Sequence, residues 1–336
     1  MEWLMSVTCG NCFKFRAWRA AWLTAEIGVP VAFRVEYACH PEPLYPADRA
    51  WKTERGRRIG YFMERMSVEI SSPSGWPRLE LGEVRRHFVI IGILALRDMK
   101  VRYKQSLVGF GWAFLQPLFT MLVFSAIFAG IVKVPTGDTP YPLFVMAALV
   151  PWSYFVHAIN TTTSCLVANQ TLITRVYFPR LVFPLSTVFS ALVDFLIAFA
   201  LLLIVLAWYG EVPTARIAFL PIFIVFAIIA AIALGLWLSA LNVQYRDVFH
   251  ALPFFTQVLM FISPVVYPAH VIPEKWQWLY DLNPMATVIN GFRWVFVEGQ
   301  PAPGLYSLWS VVVVTAVLTG GLYFFRWQED RFADVV

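Results

Sequence analysis

The sequence predicts an all-α, polytopic membrane protein with six transmembrane helices, a cytoplasmic interfacial helix and outer-leaflet re-entrant helices. Three observations predict it. The 336-residue chain is 59% hydrophobic, 17% aromatic and only 14% charged, a balance rarely seen in soluble globular domains. Long apolar segments follow one another from about residue 110 to the C-terminal region. The stretch RDMKVRYKQSLVGFGWAFLQP, Arg97 to Pro117, sets a knot of cations directly before the first of them.

That knot orients the rest, because cations flanking a span are retained on the cytoplasmic side. Six segments are near or above spanning length, at about Phe110–Val132, Tyr141–Cys165, Phe183–Tyr209, Ala218–Leu241, Phe249–Tyr267 and Tyr306–Trp327. With the first loop outside, inside segments carry Arg97, Lys100, Arg102, Lys104, Arg175, Arg180, Arg246, Arg326 and Arg331. The outside loops carry Lys133, Arg216, Lys275 and Arg293. Nine cations against four place both termini in the cytoplasm. Trp152, Tyr154, Trp208, Tyr209, Tyr267, Tyr306 and Trp327 fall near span ends, as expected of an aromatic belt. The formal charge of +5 is modest and sits at segment ends, so it reports topology and no nucleic-acid partner is expected.

Two apolar stretches are too short to cross. Phe88 to Leu96, flanked by Arg85, Arg86 and His87 and by the Arg97–Lys104 knot, reads as a helix lying on the cytoplasmic face. Between the fifth and sixth spans, Pro268 to Leu305 contains TVINGFRWVFV and the helix breaker Asn283-Pro284. Short helices dipping into the outer leaflet, with protein or water covering their ends, suit that pattern.

Residues 1–65 have no sustained period and no continuous apolar stretch of a signal peptide. Cys9, Cys12, Cys39 and His40 contain one ligand pair at zinc spacing, but the second pair lacks it, so no metal site is expected. Met63 and Met66 precede an ordinary polar stretch. We expect translation to begin there, making 1–65 a mis-assigned or disordered leader. Residues 66–108 then form the cytoplasmic N-terminal region with the interfacial helix, and 109–332 the transmembrane domain.

An ionisable side chain inside a span is expensive, which singles out Asp194 in the third span. The second and third spans form a hairpin, and counting equal depth back along the second arrives near His157 and Asn160. Either could lower the cost of burying the carboxylate. On the first span, Phe110, Trp112, Phe114 and Phe119, with Phe124 and Phe128, offer flat surfaces that could meet sugars or lipid.

Three stretches carry a family resemblance: RDMKVRYKQSLVGFGWAFLQPL, LNVQYRDVFHALPFFTQVLMFISPVVYP and VIPEKWQWLYDLNPMATVINGFRW. In order and spacing they resemble the permease subunit of ABC-2 type exporters of polysaccharides, including O-antigen, capsule and teichoic acid. The resemblance runs from about Leu79 to the C-terminus and departs at Asn290, where an acidic residue is frequent. It implies the ABC-2 exporter permease fold and a bacterial cytoplasmic (inner) membrane location. It further implies a homodimer of the permease, two ATPase subunits and a polyprenyl-linked polysaccharide substrate. It implies a coupling helix between the second and third spans, here Asn169 to Arg180, with Thr174, Arg175, Val176, Tyr177 and Phe178. It also implies that the first and fifth spans line the path, which adds Phe254, Phe255 and Phe261.

The chain has no Gly-x4-Gly-Lys-Ser/Thr loop to cradle phosphates. No cofactor is expected in it, and ATP and Mg fall to the partner ATPase. A membrane-embedded glycosyl or phosphoglycosyl transferase would place acidic groups or metal ligands together. Asp138, Glu211, Asp247, Glu274, Asp281 and Glu298 are instead scattered singly, so no catalytic residue is expected. An ABC-2 exporter of small lipophilic compounds shares the fold and is the other alternative.

Overall fold

The computed structural model describes residues 87–104, 109, 111–137, 139–175, 179–211, 215–268, 271–304 and 307–335. All fall in the compact unit Pro77–Val336. The leader, the expected starts at Met63 and Met66, and Cys9, Cys12, Cys39 and His40 lie outside the described residues. So do Phe110, Val176, Tyr177 and Phe178.

Among the described residues the regular structure is entirely helical. In order it comprises α1 (Phe88–Lys104), α2 (Gly111–Phe124, continued by π-helical Ser125–Ile131), α3 (Tyr141–Ala168), α4 (Gln170–Arg175) and α5 (Val182–Trp208). A 3-10 turn (Ala215–Phe219) leads into α6 (Leu220–Gln244), followed by α7 (Asp247–Ile262), α8 (Glu274–Asp281), α9 (Pro284–Phe296) and α10 (Ser307–Val335). Each long helix is apolar on nearly every face, so packing rather than an amphipathic stripe decides which side is covered.

The centre of the bundle is α3. It lies against α5, α6 and α9, with α2 and α7 touching it from the flanks and α10 packing on the far side of α6. Its residues Leu143 to Val150 are almost wholly enclosed. A second, smaller apolar cluster joins Ile91 and Leu94 of α1 to Cys165, Leu166, Leu181, Phe183, Leu236, Val243 and Phe325, with Leu172 and Ile173 of α4 packed onto it. That cluster gathers the helix ends assigned to the cytoplasmic side.

Among the described residues, five helical segments are long and apolar enough to cross a membrane: Gly111–Ile131, Tyr141–Ala168, Val182–Trp208, Ala215–Gln244 and Ser307–Glu329. The expected fifth span, Phe249–Tyr267, is the shorter helix α7. Its 16 residues rise about 24 Å, against about 30 Å of hydrocarbon. It stops because Pro264 forces Ser263 into an extended conformation.

The broken end of α7 is then covered by protein. Asn283 caps α9 by accepting a hydrogen bond from the Met285 amide at 3.0 Å, with Pro284 at the first helical position. Its amide nitrogen donates to Ser263 Oγ at 2.8 Å. The apolar stretch TVINGFRWVFV is thus mostly an internal helix packed on α3 and α6, and not a helix spread on a surface.

Arg293 completes this arrangement. The sequence counted it as a cation of an outside loop, yet its side chain is only 2% exposed. It donates to the carbonyls of Val265 at 2.8 Å, Tyr267 at 3.2 Å and Phe144 at 3.4 Å, and its guanidinium lies 3.6 Å from the centroid of the Phe144 ring. Carbonyls freed by the break in α7 find their donor there. Without Arg293 the loop-cation count stands at nine inside against three outside, still in the expected direction.

The aromatic belt divides. Trp208 is 85% exposed, and Tyr209 and Trp327 are exposed as well, as interfacial residues should be. Trp152 and Tyr154 are buried in α3, so they belong to the interior rather than to a belt.

Candidate functional site

A cavity of about 490 Å³ opens between α1, α2, α3 and α5, a size suited to a small-molecule headgroup. Trp112, Gln116 and Thr120 of α2 line one wall. Trp152, Ser153 and Asn160 of α3 line another, and Met260 of α7 closes an edge.

The polar corner of this cavity is built around Asp194. The carboxylate lies twelve residues, about 18 Å, into α5, where an unpartnered charge would be costly. Arg102 Nη1 donates to Asp194 Oδ2, and the Tyr103 hydroxyl donates to Oδ1. His157 Nε2 approaches Oδ2 at 3.2 Å but lacks the angle of a hydrogen bond. Asn160 lines the same cavity one helical turn on. Burial, followed by the bond to Asp194, pushes the Tyr103 hydroxyl up to about 12, so it remains a protonated donor at neutral pH.

Arg102 and Tyr103 arrive there because α1 does not end with its apolar run at Leu96. It continues through the cation knot to Lys104. Ile91 and Leu94 are buried, and Phe88 meets Phe189 of α5 edge-on at 6.4 Å. The face set by Ile91 and Leu94 carries on through Asp98 to Arg102 at helical spacing, turning from apolar to charged as it approaches Asp194.

Neither partner was singled out in the sequence. By residue type Arg102 reads as an orientation signal, and nothing in the sequence marks Tyr103. The available signal was elementary: an intramembrane carboxylate calls for a cation, and the nearest cations to the first span sit in the Arg97–Lys104 knot.

The expected coupling segment begins at Asn169, which ends α3. Its Nδ2 donates to the Cys165 carbonyl at 2.8 Å, and its Oδ1 accepts from Arg97 Nη2 at 2.6 Å. Helix α4, with Thr174 and Arg175, follows. Beyond it the Arg180 amide donates to Glu329 Oε1 of α10 at 3.3 Å, and Arg326 pairs with the same carboxylate at 3.0 Å. The loop is therefore tied at one end to α1 and at the other to α10.

The aromatic candidates separate. Trp112 lines the cavity while staying half exposed, and Phe114 packs against the core. Phe119, Phe254, Phe255 and Phe261 are exposed on the outer faces of α2 and α7. The structure does not bring these four into the cavity.

Comparison with known proteins agrees with this architecture. The chain is 27% identical over 252 residues to the O-antigen export system permease protein RfbA of Klebsiella pneumoniae, covering 74% of this chain and 95% of that protein. It is 29% identical over 246 residues to the O-antigen export system permease protein RfbA of Myxococcus xanthus, covering 72% and 94%. It is 27% identical over 248 residues to the polysialic acid transport protein KpsM of Escherichia coli, again covering 72% and 94%. The family model described as ABC-2 type transporter matches residues 90–297. That span is more than half of the chain and includes all but the first two residues of α1, the cavity and α9, so the chain belongs to the ABC-2 type transporter family of membrane proteins.

Proposed function

We propose that this chain is the permease subunit of an ABC transporter that exports a lipid-linked polysaccharide of O-antigen, capsule or teichoic acid type across the bacterial cytoplasmic membrane. Its three cited relatives are named for O-antigen export or polysialic acid transport. The observation that carries the reading is the cavity flanked by α1 and α2. Trp112 and Trp152 supply flat apolar faces, and Gln116, Ser153 and Asn160 supply hydrogen-bonding groups, the mixture a glycosylated headgroup requires.

Energy comes from a separate ATPase, two copies per assembly, which bind ATP and Mg; the permease itself carries out no chemistry. Both termini face the cytoplasm, where Asn169, Thr174, Arg175, Val176, Tyr177, Phe178 and Arg180 meet that motor. Two permeases pair so that the exposed faces of α2 and α7, with Trp112, Phe119, Phe254, Phe255 and Phe261, border the path. Those side chains are exposed in the single chain, which leaves them free to meet a second copy.

Deleting the gene distinguishes export from synthesis. Loss of a permease leaves finished lipid-linked glycan accumulating on the cytoplasmic face, detectable by glycan staining of spheroplasts before and after permeabilisation. Loss of a transferase would leave no finished glycan in either compartment, and that result would overturn the reading. Normal surface glycan with loss of resistance to lipophilic compounds would favour the small-molecule exporter.

A further inference from the structure

Two polar contacts on α1 link the expected motor loop to the cavity. At one, Arg97 Nη2 donates to Asn169 Oδ1 at 2.6 Å. The orientation of that amide is fixed from both sides, since Nδ2 must face the Cys165 carbonyl and Oδ1 must face the guanidinium. At the other, Arg102 and Tyr103 hold Asp194. The two arginines are five residues apart, about 7.5 Å along one rigid helix. Asn169 and His157 are twelve residues apart, about 18 Å along α3. The helix α1 and its two long side chains therefore bridge most of that depth.

The apolar neighbours of these contacts favour movement as one body. Leu172 and Ile173 of α4 pack on the same cluster as Ile91 and Leu94 of α1, so α4 cannot shift without displacing that packing. Dispersion contacts alone are non-directional and allow sliding. The Arg97–Asn169 bond fixes the register of α1 against the loop. Arg97 Nε and Nη2 also donate to Asp98 Oδ1 at 3.0 and 2.7 Å, which holds the guanidinium in place while the same Nη2 reaches Asn169.

We propose that Arg97 is a positioning residue that converts displacement of the 169–180 loop into movement of α1, and so of Arg102 and Tyr103 against Asp194 at the wall of the cavity. This rests on the reading of that loop as the ATPase contact. Arg97 does not line the cavity and acts through Asn169. It makes the loop and the cavity wall two ends of one lever, so a stroke at the cytoplasmic surface changes the shape of the substrate site.

The test uses the full permease with its ATPase in proteoliposomes, comparing Arg97→Met, Arg97→Lys and Asp98→Asn. Arg97→Met keeps the length of the side chain and removes its donors. It should retain membrane insertion, ATPase copurification and ATP hydrolysis, while glycan exported per ATP falls by about fivefold or more. Arg97→Lys, which can still donate to Asn169, should recover most of the loss, and Asp98→Asn, which keeps an Oδ1 to accept from the guanidinium, should leave the ratio nearly unchanged. Spin labels at the exposed positions Val101 and Leu196 should show a change in α1–α5 distance on ATP trapping in the parent, absent in Arg97→Met. Normal export per ATP in Arg97→Met, or loss of copurification in step with export, would overturn the proposal. If Val176, Tyr177 and Phe178 can all be replaced by alanine with normal copurification and export, the underlying reading of the loop fails, whatever Arg97 does.

Discussion

Arg102, near the end of α1, is ion-paired with Asp194, twelve residues into α5. The pair joins a helix outside the five long spans to the interior of one of them, and it does so at the wall of the cavity. Its two side chains are 27% and 18% exposed, so solvent screens it only in part.

Removing one partner of such a pair costs more than removing both, because the survivor keeps its desolvation penalty. Asp194→Leu should destabilise the detergent-purified complex by about 1–3 kcal/mol, with Arg102→Met/Asp194→Leu closer to the parent. Thermal melting of the four proteins in the cycle measures this, and additive effects would show that the pair is not coupled.

Arg293 gives a second prediction. Arg293→Met leaves the carbonyls of Val265 and Tyr267 without their donor, at about 1–3 kcal/mol for each orphaned group. Lysine restores a charge but not a planar fork, so Arg293→Lys should recover only part of the loss. Limited proteolysis between α7 and α9 should accelerate in the order parent, Lys, Met.

Close approach at Gly291 gives a third. A Cβ there would lie 2.2 Å from Phe223 Cε1, so α9 can seat on α6 only because position 291 has no side chain. Gly291→Ala should cost about 1–3 kcal/mol through overpacking. Phe223→Ala in the same chain should relieve the clash, and a double variant less stable than either single one would contradict this account of the packing.

Topology is checked by labelling single cysteines with a membrane-impermeant reagent. Position 275 should react from outside in intact cells and position 175 only after permeabilisation. The reverse pattern would invert the orientation and remove the 169–180 loop from the cytoplasm.

Much of this architecture was legible because a membrane reduces folding to a few strong rules. Long apolar runs must be helices, and a carboxylate inside one must find a partner, which made Asp194 visible. His157 could be reached by counting depth along a hairpin, since helical rise is constant. Arg102 was obscured because one cation can serve topology and pairing at once, and residue type does not separate the two. Arg293 reads as a loop charge in the sequence because two of its three carbonyl acceptors, Val265 and Tyr267, become available only where α7 breaks, and the third, Phe144 of α3, comes within reach only when α9 folds back. Trp152 and Tyr154 looked interfacial because the belt rule knows sequence position and not which helix lies at the centre. Phe110, Val176, Tyr177 and Phe178 keep only their sequence assignments.

The most direct measurement of export is ATP-dependent movement of a lipid-linked glycan in proteoliposomes containing this chain and its ATPase. With ATP on the side of Asn169–Arg180, glycan should become accessible to a glycosidase on the opposite side. It should not do so when the catalytic residues of the ATPase are inactivated, or when Val176, Tyr177 and Phe178 are replaced by alanine. Glycan crossing at the same rate without a working ATPase, or no crossing with an active and fully assembled complex, would contradict the account.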